Sequence, residues 1–131
     1  MQVCTLDDAS PALVSVDRQV LGSFAIDSEA NNYTLHVSGF SGDADNNLLS
    51  PVDRTKICNG MQFSTPDVDN DKHSTTHCAR SLTGGWWFNA CTYITLNGSF
   101  NMSTPSWGNF EYYVGPNKTA IAISRMMMKQ V

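Results

Sequence analysis

Three aspartates at alternate positions, Asp67, Asp69 and Asp71, form the part of this sequence best suited to chemistry. This spacing lets a curled loop direct several hard oxygen ligands at one hard cation, and calcium is the natural candidate. An EF-hand begins in the same way, but it requires glycine and glutamate where this chain has Lys72 and Cys78. The run is therefore a candidate calcium loop outside the EF-hand class, with a solvated acidic turn as the alternative.

Other reactive side chains near this loop point to no established catalytic centre. His73, His77 and Cys78 raise zinc as a second metal, but the paired cysteine or histidine spacing of zinc sites is missing. The sequence also lacks a nucleophile elbow, a His-Glu-x-x-His pair and a glycine-rich phosphate loop after a strand. The chain is predicted to bind a partner and not to be an enzyme.

Composition narrows the class of partner. The 131 residues carry a net charge of −4, and lysine and arginine form no basic stripe, which argues against nucleic acid. No apolar run approaches the roughly 20 residues that a membrane helix requires. Residues 1–4 lack the basic and apolar regions of a signal peptide.

Cysteines and glycosylation sequons favour an extracellular, secreted protein. The four cysteines allow two bridges in three pairings, and spacing alone does not choose among them. Four N-x-[S/T] sequons support the same compartment. The cysteines are Cys4, Cys58, Cys78 and Cys91, and the sequons begin at Asn32, Asn97, Asn101 and Asn117.

The elements that must position the acidic loop read mostly as strands. Residues 20–26 and 33–37 alternate apolar and polar side chains around the polar turn 27–32, which predicts a β-hairpin. Residues 38–47 are rich in Gly, Asn and Asp and are predicted to be a loop. Two further strands are predicted at 61–64 and 119–124.

Between the strands, residues 51–83 are predicted to be largely irregular, as functional or cross-linked segments often are. Trp86 and Trp87 are predicted to pack in the core, since large aromatic side chains dominate buried area. The three methionines at 126–128 are predicted to fill core gaps. Length and the lack of repeats indicate one domain.

Several ordered motifs give the chain a family resemblance. Asn-Gly-Met-Gln-Phe-Ser-Thr (59–65) leads into the acidic loop, and Cys78-Ala79, Gly-Gly-Trp-Trp-Phe-Asn-Ala-Cys (84–91) and Leu-Asn-Gly-Ser-Phe (96–100) follow. With the upstream segment 33–42, this order resembles the fibrinogen C-terminal globular domain of fibrinogens, ficolins, tachylectins, angiopoietins and tenascins. The resemblance covers residues 20–129 and lacks most of the family's N-terminal subdomain, which implies a fragment or a natural short variant.

The resemblance implies an α+β fold with a short twisted antiparallel sheet, few short helices and a long loop-rich calcium-binding subdomain. Residues 1–19 would be an N-terminal extension or remnant, and residues 20–131 the domain itself. In the family, calcium is held by two carboxylates and two backbone carbonyls, which fall here on Asp69 and Asp71 and near His73 and Thr75. The implied disulfide joins Cys78 to Cys91.

The resemblance also implies a ligand pocket beside the second cysteine. In lectin members, a cis peptide before that cysteine directs backbone N–H groups at an acetyl or anionic group, so the bond would be Ala90–Cys91 and the pocket would include Asn89, Cys91 and Thr92. Tyr112 and Tyr113 are candidate aromatic walls. Many members carry histidine at the position of Thr92 and aromatic residues in the last strand, where this chain has isoleucines at 121 and 123.

Two functions follow from the resemblance. The first is a calcium-dependent lectin-type module that binds acetylated or anionic glycans in innate immune recognition. The second is a protein-interaction or extracellular-matrix module in which calcium is purely structural, and the departures around the pocket favour it. Either module could form homo-oligomers, which the sequence leaves open.

Overall fold

The computed structural model describes residues 2–7, 15–42, 46, 48–49, 53–98, 111–114, 117–120 and 123–127, with side chains described for 20–42, 46, 48–49, 53–98 and 126. The strands in these ranges are β1 (Gln2–Asp7), β2 (Ser15–Ile26), β3 (Leu35–Gly42), β4 (Ile94–Thr95), β5 (Glu111–Val114), β6 (Asn117–Ala120) and β7 (Ile123–Met127). The helical elements are 3-10 turns at Glu29–Asn31 and Arg54–Lys56 and the short helix α1 (Cys78–Ser81).

The strands form two small antiparallel sheets. One has four strands in the order β3-β2-β1-β7, and the other has three in the order β4-β5-β6. This arrangement, with few and short helices, agrees with the predicted α+β class. In the described part of the chain, every helix is too short to cross a membrane. The division of the chain at residue 20 stays a prediction.

The predicted hairpin is confirmed by the pairing of β2 with β3. Its register opposes Ile26 to Leu35 and Phe24 to Val37. Leu35 and Val37 are buried while His36 between them is exposed, because successive side chains in a strand point to opposite faces. The turn between the strands contains the 3-10 turn Glu29–Asn31 and closes on a hydrogen bond from the Asp27 amide to the Thr34 carbonyl.

The prediction that residues 38–47 form a loop is wrong for the first five of them, since β3 runs to Gly42. Two glycines explain the extension. Gly39 adopts a φ of +68° and faces Gly22 of β2 so closely that a Cβ on Gly39 would lie 3.2 Å from the Gly22 Cα. Glycine content, which favoured a loop, here permits two backbones to approach within a sheet.

The strand predicted at residues 61–64 is wrong. Gly60 turns the chain with a φ of +79°, and the segment then docks irregularly on the edge of β3. The Gly60 amide donates to the Leu35 carbonyl at 2.8 Å, and the Leu35 amide donates to the Met61 carbonyl at 3.0 Å. At the far end, Ser64 forms an isolated bridge with Trp86.

The single strand predicted at residues 119–124 is also wrong. β6 ends at Ala120 and β7 begins at Ile123, and the two strands belong to different sheets. Met126, in the edge strand β7, is 40% exposed and does not fill a core gap. The side chains of residues 127 and 128 lie outside the described residues.

One cluster of buried side chains joins the hairpin to the irregular segment. Trp86 is almost fully buried, as predicted, and Phe88 is fully buried. Trp87 is half-buried and lies edge-on to Phe24, Phe63 and Trp86 at centroid distances of 6.3, 5.0 and 5.3 Å. Its Nε1 donates to the Tyr33 carbonyl at 2.7 Å. Trp87 therefore fixes the loops that carry the candidate site against the hairpin.

Two glycine substitutions separate backbone strain from crowding. Gly60→Ala places a side chain in a left-handed conformation with no atom within 4 Å, so we expect a loss of about 1 kcal/mol of unfolding free energy. Gly39→Ala adds the contact with Gly22 to the same strain, and we expect about 2 kcal/mol. Urea unfolding followed by tryptophan fluorescence measures both, and equal losses would contradict the close approach.

Candidate functional site

The acidic loop is organised around the Asp71 carboxylate. Its Oδ1 accepts a hydrogen bond from the His73 amide and its Oδ2 accepts one from the Cys78 amide, both at 2.8 Å. The Asp69 carboxylate accepts from the Asp71 amide at 3.2 Å. Aspartate favours such turns because its side chain bonds the backbone two residues on. Asp71 thus ties the start of the loop to the start of α1.

Asp69 and Asp71 lie together in a group that could hold a cation. One ligand atom each from Asp69, Asp71 and His77 lie within 4.8 Å of one another. Partial burial, with the Asp69 carboxylate alongside, raises the pKa of Asp71, although its two backbone hydrogen bonds oppose the shift. A bound cation would offset the repulsion between the Asp69 and Asp71 carboxylates, so these residues fit the predicted calcium ion.

His77 was not among the predicted metal ligands, yet its ring belongs to this group. Both ring nitrogens are enclosed and have no hydrogen-bond partner among the described residues. His73 and Thr75, the predicted carbonyl donors, lie in the same loop, and the His73 Nδ1 accepts from the amides of Thr75 and Thr76 at 3.4 and 3.1 Å. Their role in binding metal stays a prediction.

Asp67 stands apart from the metal group. Its carboxylate accepts a hydrogen bond from the Thr65 hydroxyl at 2.7 Å, and this bond lowers the pKa of Asp67. The carboxylate is exposed and is not part of the group formed by Asp69, Asp71 and His77. Asp67 is therefore a matched acidic control within the same run.

A disulfide joins Cys78 to Cys91, as the resemblance implies, with their Cα atoms 5.3 Å apart. The Cys91 amide also donates to the Cys78 sulfur at 3.1 Å, and the Lys72 amide donates to the Asn89 carbonyl at 3.0 Å. The bridge and these hydrogen bonds hold the metal loop against residues 89–91. A disulfide that closes a loop of this length contributes about 3 kcal/mol in the chain-entropy model.

The peptide bond between Ala90 and Cys91 is trans, so the expected cis bond is wrong, and the described residues contain no cis peptide. Cys91 instead takes a left-handed φ of +54°. The Asn89 amide donates to the Cys91 carbonyl at 3.0 Å across this reversal. The left-handed conformation of Cys91 therefore reverses the chain at this point with a trans bond.

A cleft of about 380 Å³ opens beside the disulfide. This volume lies within the range of small-molecule sites. His73 and Thr76 bring the acidic loop into its lining, so the cleft and the group of Asp69, Asp71 and His77 share one segment. The lining residues are Lys56, His73, Thr76, Ser81, Leu82, Ala90, Cys91, Thr92, Tyr93 and Thr95.

The predicted ligand residues divide into three groups. Cys91 and Thr92 line the cleft. Asn89 is not in the lining, and its side-chain amide instead donates to the Arg54 carbonyl at 3.5 Å. Tyr112 and Tyr113 lie in β5, but their side chains are outside the described residues.

Thr92 is 8% exposed and its hydroxyl is used inside the protein. The hydroxyl lies 3.1 Å from the Cys58 sulfur and accepts from the Ile94 amide at 3.2 Å. Cys58 is a free, fully buried thiol, and burial raises its pKa to about 11. Thr92 therefore lines the cleft, but its hydroxyl is already used inside the protein and offers little to a ligand. The Cys4 side chain lies outside the described residues.

Sequence reasoning missed Lys56 and Tyr93 as lining residues. Lys56 stands in a segment without a period or motif. A tertiary hydrogen bond to the Ala90 carbonyl holds its amine beside the cleft. No local sequence signal reports such a contact. Tyr93 directly follows a predicted ligand residue, so its position in the chain was the one available indication.

The sequons differ in their surroundings. Asn32 is exposed at the hairpin tip in a left-handed conformation. Asn97 is also exposed, but its side-chain amide donates to the Gly85 carbonyl at 3.1 Å. Asn101 and the side chain of Asn117 lie outside the described residues.

Comparison with known proteins gives consistent matches. Residues 12–129 match the family described as "Fibrinogen beta and gamma chains, C-terminal globular domain". The Protein scabrous of Drosophila melanogaster is 38% identical over 82% of this chain and 12% of its own length. Techylectin-5A of Tachypleus tridentatus is 42% identical over 59% of this chain and 24% of its own length.

Among solved structures, a lamprey fibrin D-dimer complexed with the peptide ligand Gly-His-Arg-Pro-amide is similar. It matches 78% of this chain and 33% of its own chain, with a TM-score of 0.67 and 29% identity. The chain thus spans one third or less of the length of each of these three proteins.

The buried Cys58 thiol gives a pH-dependent prediction. Its pKa is raised from 9.0 to about 11 in the folded chain, so the folded state binds more protons between these values. Unfolding free energy should therefore fall as pH rises from about 9 to 11, by roughly 2 to 3 kcal/mol from this group. Urea unfolding of the parent and of Cys58→Ala at pH 8 and pH 11 measures the contribution of Cys58 to this pH dependence. An equal pH loss in the variant would contradict it.

Proposed function

Because the chain belongs to the fibrinogen C-terminal globular domain family, we propose that it is an extracellular, calcium-dependent recognition module of lectin type. Its ligand would be an acetylated or anionic group of a glycan, bound in the cleft beside Cys91. One observation carries this proposal above the others. The loop that bears Asp69 and Asp71 also contributes His73 and Thr76 to the cleft wall.

Calcium would be held by the carboxylates of Asp69 and Asp71, with backbone carbonyls near His73 and Thr75 as further ligands. The hard oxygen donors suit this ion. When bound, it supplies positive charge that offsets two neighbouring carboxylates. The donors come from one short loop, so binding orders that loop and stabilises the folded state by mass action.

Asp71 provides the physical link from metal to ligand. Its two oxygens accept from the amides of His73 and Cys78. His73 lines the cleft, and Cys78 is covalently joined to Cys91, which also lines it. Fixing the Asp71 carboxylate therefore restrains two lining residues from separate segments.

The cleft has the chemistry of a small carbohydrate site. Leu82, Ala90 and the disulfide offer apolar surface that suits an acetyl methyl group, and hydroxyl-bearing side chains surround it. An extracellular location is supported by the disulfide and by the exposed sequon at Asn32.

The second candidate is a protein-interaction or matrix module in which calcium only stabilises the loop. The internal use of the Thr92 hydroxyl favours it, because that side chain offers little to a sugar. The peptide ligand in the lamprey fibrin structure shows that a relative accepts a polypeptide. Family members thus span both kinds of partner.

Calcium binding is tested by paired acidic variants. We expect calcium to raise the melting temperature of the parent and of Asp67→Asn, and to have no effect on Asp71→Asn. Calorimetric affinity should fall as pH is lowered through the raised pKa of Asp71, because the ion displaces a proton there. A calcium response that survives in Asp71→Asn, or zinc binding that is tighter than calcium and lost in His77→Ala, would contradict the assignment.

Ligand binding is tested by titration calorimetry with N-acetylglucosamine and N-acetylneuraminic acid. We expect heats in calcium that disappear in EDTA and in Asp71→Asn but persist in Asp67→Asn. If calcium raises the melting temperature while a broad glycan array stays blank, the interaction-module candidate replaces the lectin candidate.

A further inference from the structure

The 3-10 turn Arg54–Lys56 supplies Lys56 to the lining of the cleft. Three hydrogen bonds hold this turn against residues 89–90. The Ala90 amide donates to the Thr55 carbonyl at 2.9 Å, and the Asn89 side chain donates to the Arg54 carbonyl at 3.5 Å. The Lys56 amine donates to the Ala90 carbonyl. The turn is thereby fixed to the residues that precede the disulfide.

The turn has its own internal cap. The Asp53 carboxylate accepts from both the amide and the hydroxyl of Thr55, at 2.9 and 2.7 Å. Asp53 is the N-cap residue of the turn, and these bonds lower its pKa. The backbone that presents Lys56 is therefore held at its start by Asp53 and along its length by residues 89–90.

Lys56 carries the one permanent charge in the lining of the cleft, and no carboxylate lines it. No described carboxylate forms a salt bridge with Lys56; the Asp53 carboxylate, outside the lining, interacts with its charge from the start of the same turn. An ammonium group has three N–H donors, and the Ala90 carbonyl accepts from one of them. The remaining donors and the positive charge can serve a ligand.

His73 adds an N–H donor to the lining of the cleft. Its Nδ1 accepts from the amides of Thr75 and Thr76, so the neutral ring carries its proton on Nε2. Leu82 and Ala90 supply apolar surface in the same lining. The cleft thus combines a cation, a neutral donor and an apolar wall in a chain whose net charge is −4.

We propose that Lys56 determines specificity at this site and selects N-acylated sugars that bear a carboxylate over their neutral counterparts. The inference rests on the proposed lectin function and adds the charge of the ligand to it. A charge-assisted hydrogen bond from Lys56 holds the carboxylate, and the apolar wall holds the acyl group. Without Lys56, the net negative chain has no lining charge that attracts an acidic sugar.

The experiment compares two ligands that differ in the charge at C1 and in one methyl group. In saturating calcium, the methyl α-glycoside of N-acetylneuraminic acid and its C1 methyl ester are titrated into the full chain by calorimetry. We expect the acid to bind about tenfold more tightly than the ester, as one charge-assisted hydrogen bond provides. Lys56→Met should abolish this ratio, because it weakens binding of the acid more than binding of the ester.

Two variants make the comparison specific. Arg54→Met removes a positive charge from the same turn without touching the lining, and should keep the tenfold ratio. Lys56→Arg keeps the charge and should retain most of the preference, which distinguishes loss of charge from a fold damaged by Lys56→Met. Thermal melts of all three variants in calcium verify folding.

The outcomes separate the two proposals. If the ester binds with calcium dependence as tightly as the acid, or if Lys56→Met keeps the tenfold ratio, charge selection by Lys56 is overturned and the lectin function stands. If acid, ester and N-acetylglucosamine all fail to bind, the lectin function and the inference fall together. An equal loss of the ratio in Arg54→Met would show that general electrostatics, and not Lys56, attracts the acid.

Discussion

The two hydrogen bonds accepted by the Asp71 carboxylate are the constraint on which the site depends. They fix the His73 amide within the acidic loop and join this loop to Cys78, the first residue of α1. The disulfide carries this constraint to Cys91, and hydrogen bonds from residues 89 and 90 carry it to the turn Arg54–Lys56. The acidic loop, residues 89–91 and the turn Arg54–Lys56 are thus held together with α1 as their longest regular element. The sheets and the aromatic cluster around Trp87 provide the rigid base beneath it.

Sequence patterns predicted the features whose cause is local. Alternation of apolar side chains gave the β2–β3 hairpin, and the motif order gave the family, the fold and the pairing of Cys78 with Cys91. Other features arise from tertiary contact and carry no local signal. Gly39 looked like a loop residue because its partner across the sheet, Gly22, is 17 positions away in the chain. No motif marks Lys56, because its position beside the cleft depends on a hydrogen bond to the Ala90 carbonyl, which is distant in the chain.

The departures from the family pattern around Cys91 acquire a physical meaning in the fold. Thr92 stands where many family members have histidine, and its hydroxyl is turned to the buried Cys58 thiol and the Ile94 amide. A short hydroxyl can be satisfied inside the core, whereas a charged imidazole there would require burial of its charge. Polar functions of the cleft are thereby left to other lining residues, among them Lys56 and His73. The site keeps its position in the domain while the residues that address a ligand change.

The buried, unpaired Cys58 also bears on the route by which the chain folds under oxidising conditions. Cys58 lies 20 residues before Cys78, whereas Cys91 lies 13 residues after it. The loop-closure entropy of an unfolded chain grows slowly with length, so it favours the native pair over a Cys58–Cys78 pair by only about 0.4 kcal/mol. Chain statistics alone therefore select the correct bridge weakly. Burial of Cys58 against Thr92 in the folded chain withdraws the competing thiol from exchange, so packing of the core also protects the native disulfide.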